Sequence, residues 1–221
     1  MIDNRKLLSE VLRPQHLDDL TLPQRDIDRL GRMLNSGNIM NMIFYGRPGL
    51  GKTSAARVII KHLEAHADSF TYEVNGSSGK GADDVRKINE YASSGSLNVG
   101  PTICFIDEAD FLSPNAQASL RYIIEKSSKR WRFLFTANEI RKFGEAIRSR
   151  MKAICFDIAT SDRSEVIGRL VQRYQEQLTQ LGIEYDEKRL KEIVGIYFPD
   201  LRAIANEFEY EFATGGEPLA A

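Results

Sequence analysis

Five short apolar runs, rich in β-branched and aromatic residues, recur along the first three quarters of the chain: Met42 to Tyr45, Phe70 to Val74, Thr102 to Ile106, Arg132 to Thr136 and Ala153 to Asp157. Each is of strand length, and each is separated from the next by a segment that can hold a helix. Strands alternating with helices predict a parallel sheet covered on both faces. In the first interval Ala56, Ile59, Ile60, Leu63 and Ala67 stand at helical spacing, so a helix is expected from Ser54 to Ala67. Ser113 followed by Pro114 reads as an N-cap with proline in the first helical position. After Asp157 the strand signals stop. Ser161 can cap a helix to Gln180 that Gly182 ends, Asp186 can cap a second from Glu187, and a third follows Pro199. The expected division is an α/β core over residues 1–158, a small three-helix lid over 159–214, and a tail, 215–221, that reads as a frayed end or linker.

Composition narrows the class without naming a chemistry. With 42% hydrophobic and 28% charged residues the chain has the balance of a soluble globular protein, which argues against disorder. Its longest apolar runs are too short for a bilayer and Met1 to Glu10 lacks a signal-peptide core, so no membrane association and a cytoplasmic place are expected. Thirty basic residues against 31 acidic ones give a net charge of −1, so any nucleic-acid binding would need a local basic stripe. The two cysteines, Cys104 and Cys155, lie in strand-like runs and are expected as buried free thiols, too few for a four-cysteine zinc site. His62 and His66 stand four apart, but the metalloprotease pattern needs Glu directly after the first His, and a solvated helix face is the simpler reading.

The chemistry concentrates after the first, third and fourth runs. Gly46, Arg47, Pro48, Gly49, Leu50, Gly51, Lys52 and Thr53 match G-x-x-x-x-G-K-[ST] between a strand and a helix opened by Ser54. Such a loop wraps phosphate in backbone N–H groups at a helix N-terminus, its lysine reaches the β/γ phosphates, and its threonine hydroxyl serves Mg²⁺. The third run ends in Asp107 and Glu108. Beside a phosphate loop, the first acid can hold the Mg²⁺ water shell and the second can polarise a water for attack on the γ phosphate. If the fourth run lies between the first and third, Asn138 at its end points at that phosphate; taken alone, it is a turn residue.

This set resembles the AAA+ P-loop NTPase module of clamp-loader small subunits, the replication-factor-C and phage-type loaders of sliding clamps. Leu12-Arg13-Pro14, followed by Leu17-Asp18-Asp19-Leu20, resembles the family's opening segment, whose backbone and apolar side chains form the adenine pocket. Ile147-Arg148-Ser149-Arg150 resembles its Ser-Arg-Cys signature, with Met151 in place of Cys. Phe198-Pro199-Asp200-Leu201-Arg202 resembles its second sensor, with Pro199 in place of Gly. Asp107 to Asp110 also spells a helicase signature, but those enzymes use two tandem motor domains and this chain has room for one.

The resemblance implies a five-stranded AAA+ core with a helical lid, ATP and Mg²⁺ as ligands, and ATP-driven loading of a ring clamp onto primer-template DNA together with other loader subunits. It implies that Arg150 is donated to a neighbouring subunit's nucleotide and that Arg202 contacts the γ phosphate of its own. Lys80, Arg86 and Arg121 become phosphate-contact candidates on DNA, with Gln117 to Arg121 in a family-like helix, and Ser96 to Gly100 becomes a candidate clamp contact. Family subunits continue into a helical collar beyond the lid. A chain without it is expected to be a monomer or weak oligomer that hydrolyses ATP slowly. The rivals are another AAA+ motor, such as a helicase loader or branch-migration ATPase, and a nucleotide-sensing subunit without turnover, against which Glu108 speaks. Activity near the nucleoid, or in a nucleus, follows from the replication reading.

Overall fold

The structure, a computed structural model, describes residues 7–79, 81–94 and 100–213. All five expected strands form: β1 (Met42–Tyr45), β2 (Phe70–Asn75), β3 (Thr102–Asp107), β4 (Trp131–Ala137) and β5 (Lys152–Cys155). They pair only in parallel, in the order β2-β3-β4-β1-β5. The helices are α1 (Leu8–Val11), α2 (Gln24–Asn35), α3 (Lys52–Ala67), α4 (Gly81–Ser94), α5 (Pro114–Lys126), α6 (Glu145–Arg148), α7 (Arg163–Gln180), α8 (Glu187–Tyr197) and α9 (Leu201–Phe208).

Contacts gather these elements into two compact units. The α/β unit holds Asp28–Arg47 and Lys52–Asp157. Its central strands are buried along almost their whole length, as a parallel sheet covered on both faces requires, with Ile43, Cys104, Ile106, Phe133 and Phe135 in one core with Leu120 and Ile123 of α5. The outer strands β2 and β5 are largely exposed. Ser113 caps α5 as expected, its hydroxyl accepting from the Ala116 N–H at 3.3 Å with Pro114 next in line. The edge position of β5 corrects one expectation: Cys104 is a buried free thiol, but Cys155 is exposed. A strand with a neighbour on one side only and little cover leaves alternate side chains in solvent.

The helical unit comprises the described residues up to Ile27, Pro48–Gly51 at the crest of the phosphate loop, and the residues from Ile158 on. The N-terminal segment thus packs with the C-terminal helices, where the expected division at residue 158 placed it in the α/β core. The cause is apolar burial: Leu8 and Leu12 share a core with Val166, Leu170 and Tyr174 of α7, Leu190 and Ile193 of α8 and Phe208 of α9. Asp186 caps α8, accepting from the Arg189 N–H at 2.7 Å, and Asp200 caps α9, accepting from the Arg202 and Ala203 N–H groups at 3.0 Å each. Ser161 does not cap α7. It lies in a 3-10 turn, Thr160–Asp162, and the residue preceding the helix is Asp162, whose carboxylate is taken up by Arg25. Among the described residues no helix is long and apolar enough to cross a membrane.

Candidate active site

Because β4 lies between β1 and β3, the C-terminal ends of those three strands deliver the phosphate loop, Asn138 and the Asp107–Glu108 pair side by side. The loop leaves β1 at Gly46 and ends in α3, whose sixteen residues begin at Lys52. Gly49 and Gly51 have φ of +81° and +82°, a left-handed conformation open to glycine at little cost. At Gly49 there is no room either: a Cβ there would stand 2.3 Å from Asp200 Oδ1 of the same unit. The Leu201 N–H donates to the Gly49 carbonyl at 3.0 Å, joining the loop crest to the first turn of α9.

Lys52 is only 8% exposed. A buried ammonium needs an oxygen for each of its three donors. Lys52 Nζ donates to the carbonyls of Gly46 and Arg47 at 2.7 Å each and to Asn138 Oδ1 at 3.0 Å. The charge therefore stands at the loop centre, tied to the end of β4. Arg47 itself points outward and pairs with Asp157 at 3.0 Å, and Ser54 is half-buried in the first turn of α3.

At the end of β3 the two acids have different surroundings. Asp107 Oδ1 accepts from Thr53 Oγ1 at 2.9 Å and from Thr136 Oγ1. Glu108 adopts left-handed backbone angles, φ 53° and ψ 40°, and its N–H donates to Thr136 Oγ1 at 2.9 Å. The chain thus turns sharply between the two carboxylates, with Asp107 held on the Thr53 side. A hydroxyl and a carboxylate 2.9 Å apart are hard oxygen donors of the kind Mg²⁺ takes alongside phosphate and water. No group of three or more His, Cys, Asp or Glu that could by itself hold a metal ion occurs among the described residues.

Behind the site, the segments that follow β3 and β4 are fastened together. Gln117 of α5 is buried; its Nε2 donates to the carbonyls of Leu112 and Lys142, at 3.2 and 3.0 Å, and its Oε1 accepts from the Gly144 N–H at 3.3 Å. Asp110, with a fully buried side chain, pairs with Lys142 at 3.5 Å. Gln117 therefore faces inward, unlike Arg121 on the exposed side of the same helix. Arg86 is exposed on α4, 3.8 Å from Asp83. Lys80 and residues 96–99 of the Ser96 to Gly100 segment lie outside the described residues.

The remaining candidates occupy three places. Leu12 is buried in the helical unit's core, Arg13 is exposed and 3.9 Å from Glu10, and Pro14 is half-buried. Arg202 is exposed in the first turn of α9. Arg150 follows α6, pairs with Glu125 and donates to the Ala146 carbonyl at 2.6 Å. Its own carbonyl accepts from Asn41, the residue before β1, at 3.5 Å. Arg150 is thus at the N-terminal end of the strands, roughly 13 Å of β1 away from the phosphate loop. Sequence reading missed Thr136, whose hydroxyl serves both acids. Its one signal is a hydroxyl residue next to the end of a mostly apolar strand, and which strand lies beside it could not be read.

A phosphate loop on β1, paired acids on the strand two places away and a polar side chain on the strand between define a P-loop nucleotide hydrolase fold. Residues 42–157 match the ATPase family associated with various cellular activities (AAA), and the chain belongs to that family. It is 30% identical over 212 residues to the replication factor C small subunit of Sulfolobus acidocaldarius, covering 95% of this chain and 63% of that protein. Its identity to the replication factor C small subunit of Saccharolobus solfataricus is 31% over 214 residues, covering 95% and 62%. The chain therefore spans somewhat under two thirds of the length of the curated relatives it matches. Among solved structures it is similar in fold to the Holliday junction branch migration motor RuvB of Thermotoga maritima, with a TM-score of 0.61 and 18% identity over 90% of this chain and 72% of that one.

Proposed function

We propose that this chain is the ATP-hydrolysing part of a sliding-clamp loader subunit, which binds ATP, assembles with other loader subunits on a ring clamp, and releases the clamp on primer-template DNA when ATP is cleaved. What supports this reading is similarity to replication factor C small subunits over 95% of the chain, joined to a phosphate loop whose Thr53 and Lys52 meet Asp107 and Asn138. The loop N–H groups and Lys52 bind the phosphates. Mg²⁺, held by Thr53 and Asp107, would neutralise phosphate charge. Glu108 orients a water and takes its proton, while Asn138, tied to Lys52, fixes the γ phosphate for in-line attack. Leu12, Arg13 and Pro14 take the base end and Arg202 senses the γ phosphate. Arg86 and Arg121, with Lys80, supply phosphate contacts to DNA, and the segment around Ser96 to Gly100 meets the clamp.

Arg150 completes the chemistry of a neighbouring subunit. Being at the far end of its own strands, it serves a second copy or a partner, where a cation beside the transferring phosphoryl group is worth about 10³-fold or more in rate. The test is ATPase rate per subunit against protein concentration, with clamp and primed DNA added, using Arg150→Ala and Glu108→Gln variants alone and mixed. Rates should rise with concentration, each variant should be inactive, and the mixture should recover activity at interfaces that join an intact Glu108 site to an intact Arg150. A fast, concentration-independent rate in a demonstrated monomer refutes the trans arginine. Stimulation by a replicative helicase and not by a clamp refutes the loader.

A further inference from the structure

The segment from Arg13 to Pro23 has one 3-10 turn, Leu17–Asp19, and no other regular structure, yet its path is held closely. Two arginines of α7 take its carbonyl oxygens. Arg169 donates from Nη1 to the Leu22 carbonyl at 2.9 Å and from Nη2 to those of Asp18 and Leu20 at 3.1 and 3.4 Å. Arg173, one helical turn on and on the same face, donates to the Asp19 carbonyl. A planar guanidinium more often meets a carboxylate, and Arg169 does stand 3.7 Å from Glu165, yet the two guanidinium groups also serve four carbonyls in a stretch of five residues. The network continues toward the N-terminus. The Asp19 carboxylate accepts from the N–H groups of Gln15 and His16, at 2.8 Å each, directly after Arg13-Pro14. At the other end of the segment Arg25 pairs with both oxygens of Asp162, at 2.7 and 2.5 Å, and the Gln24 N–H donates to Glu165 at 2.9 Å.

We infer that Arg169 and Arg173 are positioning residues for the base end of the bound nucleotide, fixing Leu12-Arg13-Pro14 through the carbonyls of residues 18–22 and the Asp19 carboxylate. This rests on the proposal that Leu12 to Pro14 binds the base. Both arginines touch protein carbonyls rather than ligand, and the phosphate end depends on Lys52 and the loop. The two ends of the nucleotide therefore depend on separate sets of residues. Loosening the α7 clasp costs affinity for the nucleoside part and leaves the polyphosphate part alone, whereas a general loss of structure would lower both.

The experiment is calorimetric titration of the protein with Mg-ADP and, separately, with inorganic tripolyphosphate. In Arg169→Gln and Arg173→Gln the affinity for ADP should fall about tenfold, the scale of a lost charge-assisted hydrogen bond, while tripolyphosphate binds as in the parent. Arg173→Lys should recover most of the loss, since one ammonium can serve the single carbonyl that Arg173 reaches. Asp19→Ala, in a half-exposed loop, removes the acceptor of the last link without touching α7 and should show the same selective loss; it decides the matter if the arginine variants do not fold. Unchanged ADP affinity in folded Arg169→Gln or Asp19→Ala, or equal losses for both ligands, overturns the inference. A parent protein that binds ADP no more tightly than tripolyphosphate overturns its premise, the base-binding role of Leu12 to Pro14, and is recognisable as such before any variant is made.

Discussion

Replacing Thr136 by valine removes one oxygen and keeps the shape of a side chain that is 2% exposed, and that oxygen bonds both the Asp107 carboxylate and the Glu108 N–H. In the parent the hydroxyl donates to Asp107 and accepts from the Glu108 N–H at 2.9 Å. Valine can do neither. Leaving a buried N–H without an acceptor costs about 1–3 kcal/mol. Glu108 also stands at φ 53°, a backbone state that costs a non-glycine residue about 1–2 kcal/mol and is held here in part by that bond. Two responses are open to the protein. If the turn keeps its conformation, unfolding in urea should show a loss of about 1–3 kcal/mol. If the turn relaxes, Glu108 leaves its position, the stability loss shrinks and the Glu108 amide exchanges faster with solvent. Either way single-turnover ATP hydrolysis should slow by about tenfold or more while nucleotide affinity, proposed above to depend on Lys52 and the loop, stays near the parent's. Thr136→Ser keeps the oxygen and should restore the exchange protection and most of the rate. If Thr136→Val unfolds at the parent's urea midpoint, protects the Glu108 amide equally and turns over at the parent's rate, the hydroxyl does not hold the two acids.

Two further outcomes follow from burial and charge. A thiol reagent at neutral pH should label Cys155 and leave Cys104 untouched until the protein unfolds, because Cys155 is exposed while burial both shields Cys104 and pushes its thiol pKa up; equal labelling of the two in the folded protein refutes the β5 edge assignment. The guanidinium of Arg25 holds the Asp162 carboxyl below its ordinary value, so the stability this pair contributes is fully present above the ordinary carboxylate pKa of about 4 and is lost as pH falls through the lowered folded value. The urea midpoint of the parent should therefore drop more between pH 6 and pH 3 than that of Asp162→Asn, and parallel curves refute the linkage.

Periodicity and motif spacing fixed what depends on neighbours in the chain. Five apolar runs became five strands, with β1 as expected and the others within a residue or two, because each run is defined by local burial and bounded by turn formers. The phosphate loop was legible for the same reason: its glycines, lysine and threonine are consecutive, and positive φ at Gly49 and Gly51 is a local demand. Strand order was not legible, and with it went the link from Thr136 to Asp107 and Glu108, since nothing in a single sequence says which strand lies beside which. Cys155 was expected inside because an apolar run reads the same at the edge of a sheet as at its centre; only the final neighbour count decides exposure. The N-terminal segment was assigned to the core by order along the chain, whereas Leu8 and Leu12 are buried among α7, α8 and α9. Local sequence can specify an element that closes its own hydrogen bonds and turns. Which surfaces those elements bury against is settled by the competition among all apolar faces at once, and that competition exists only in the folded chain.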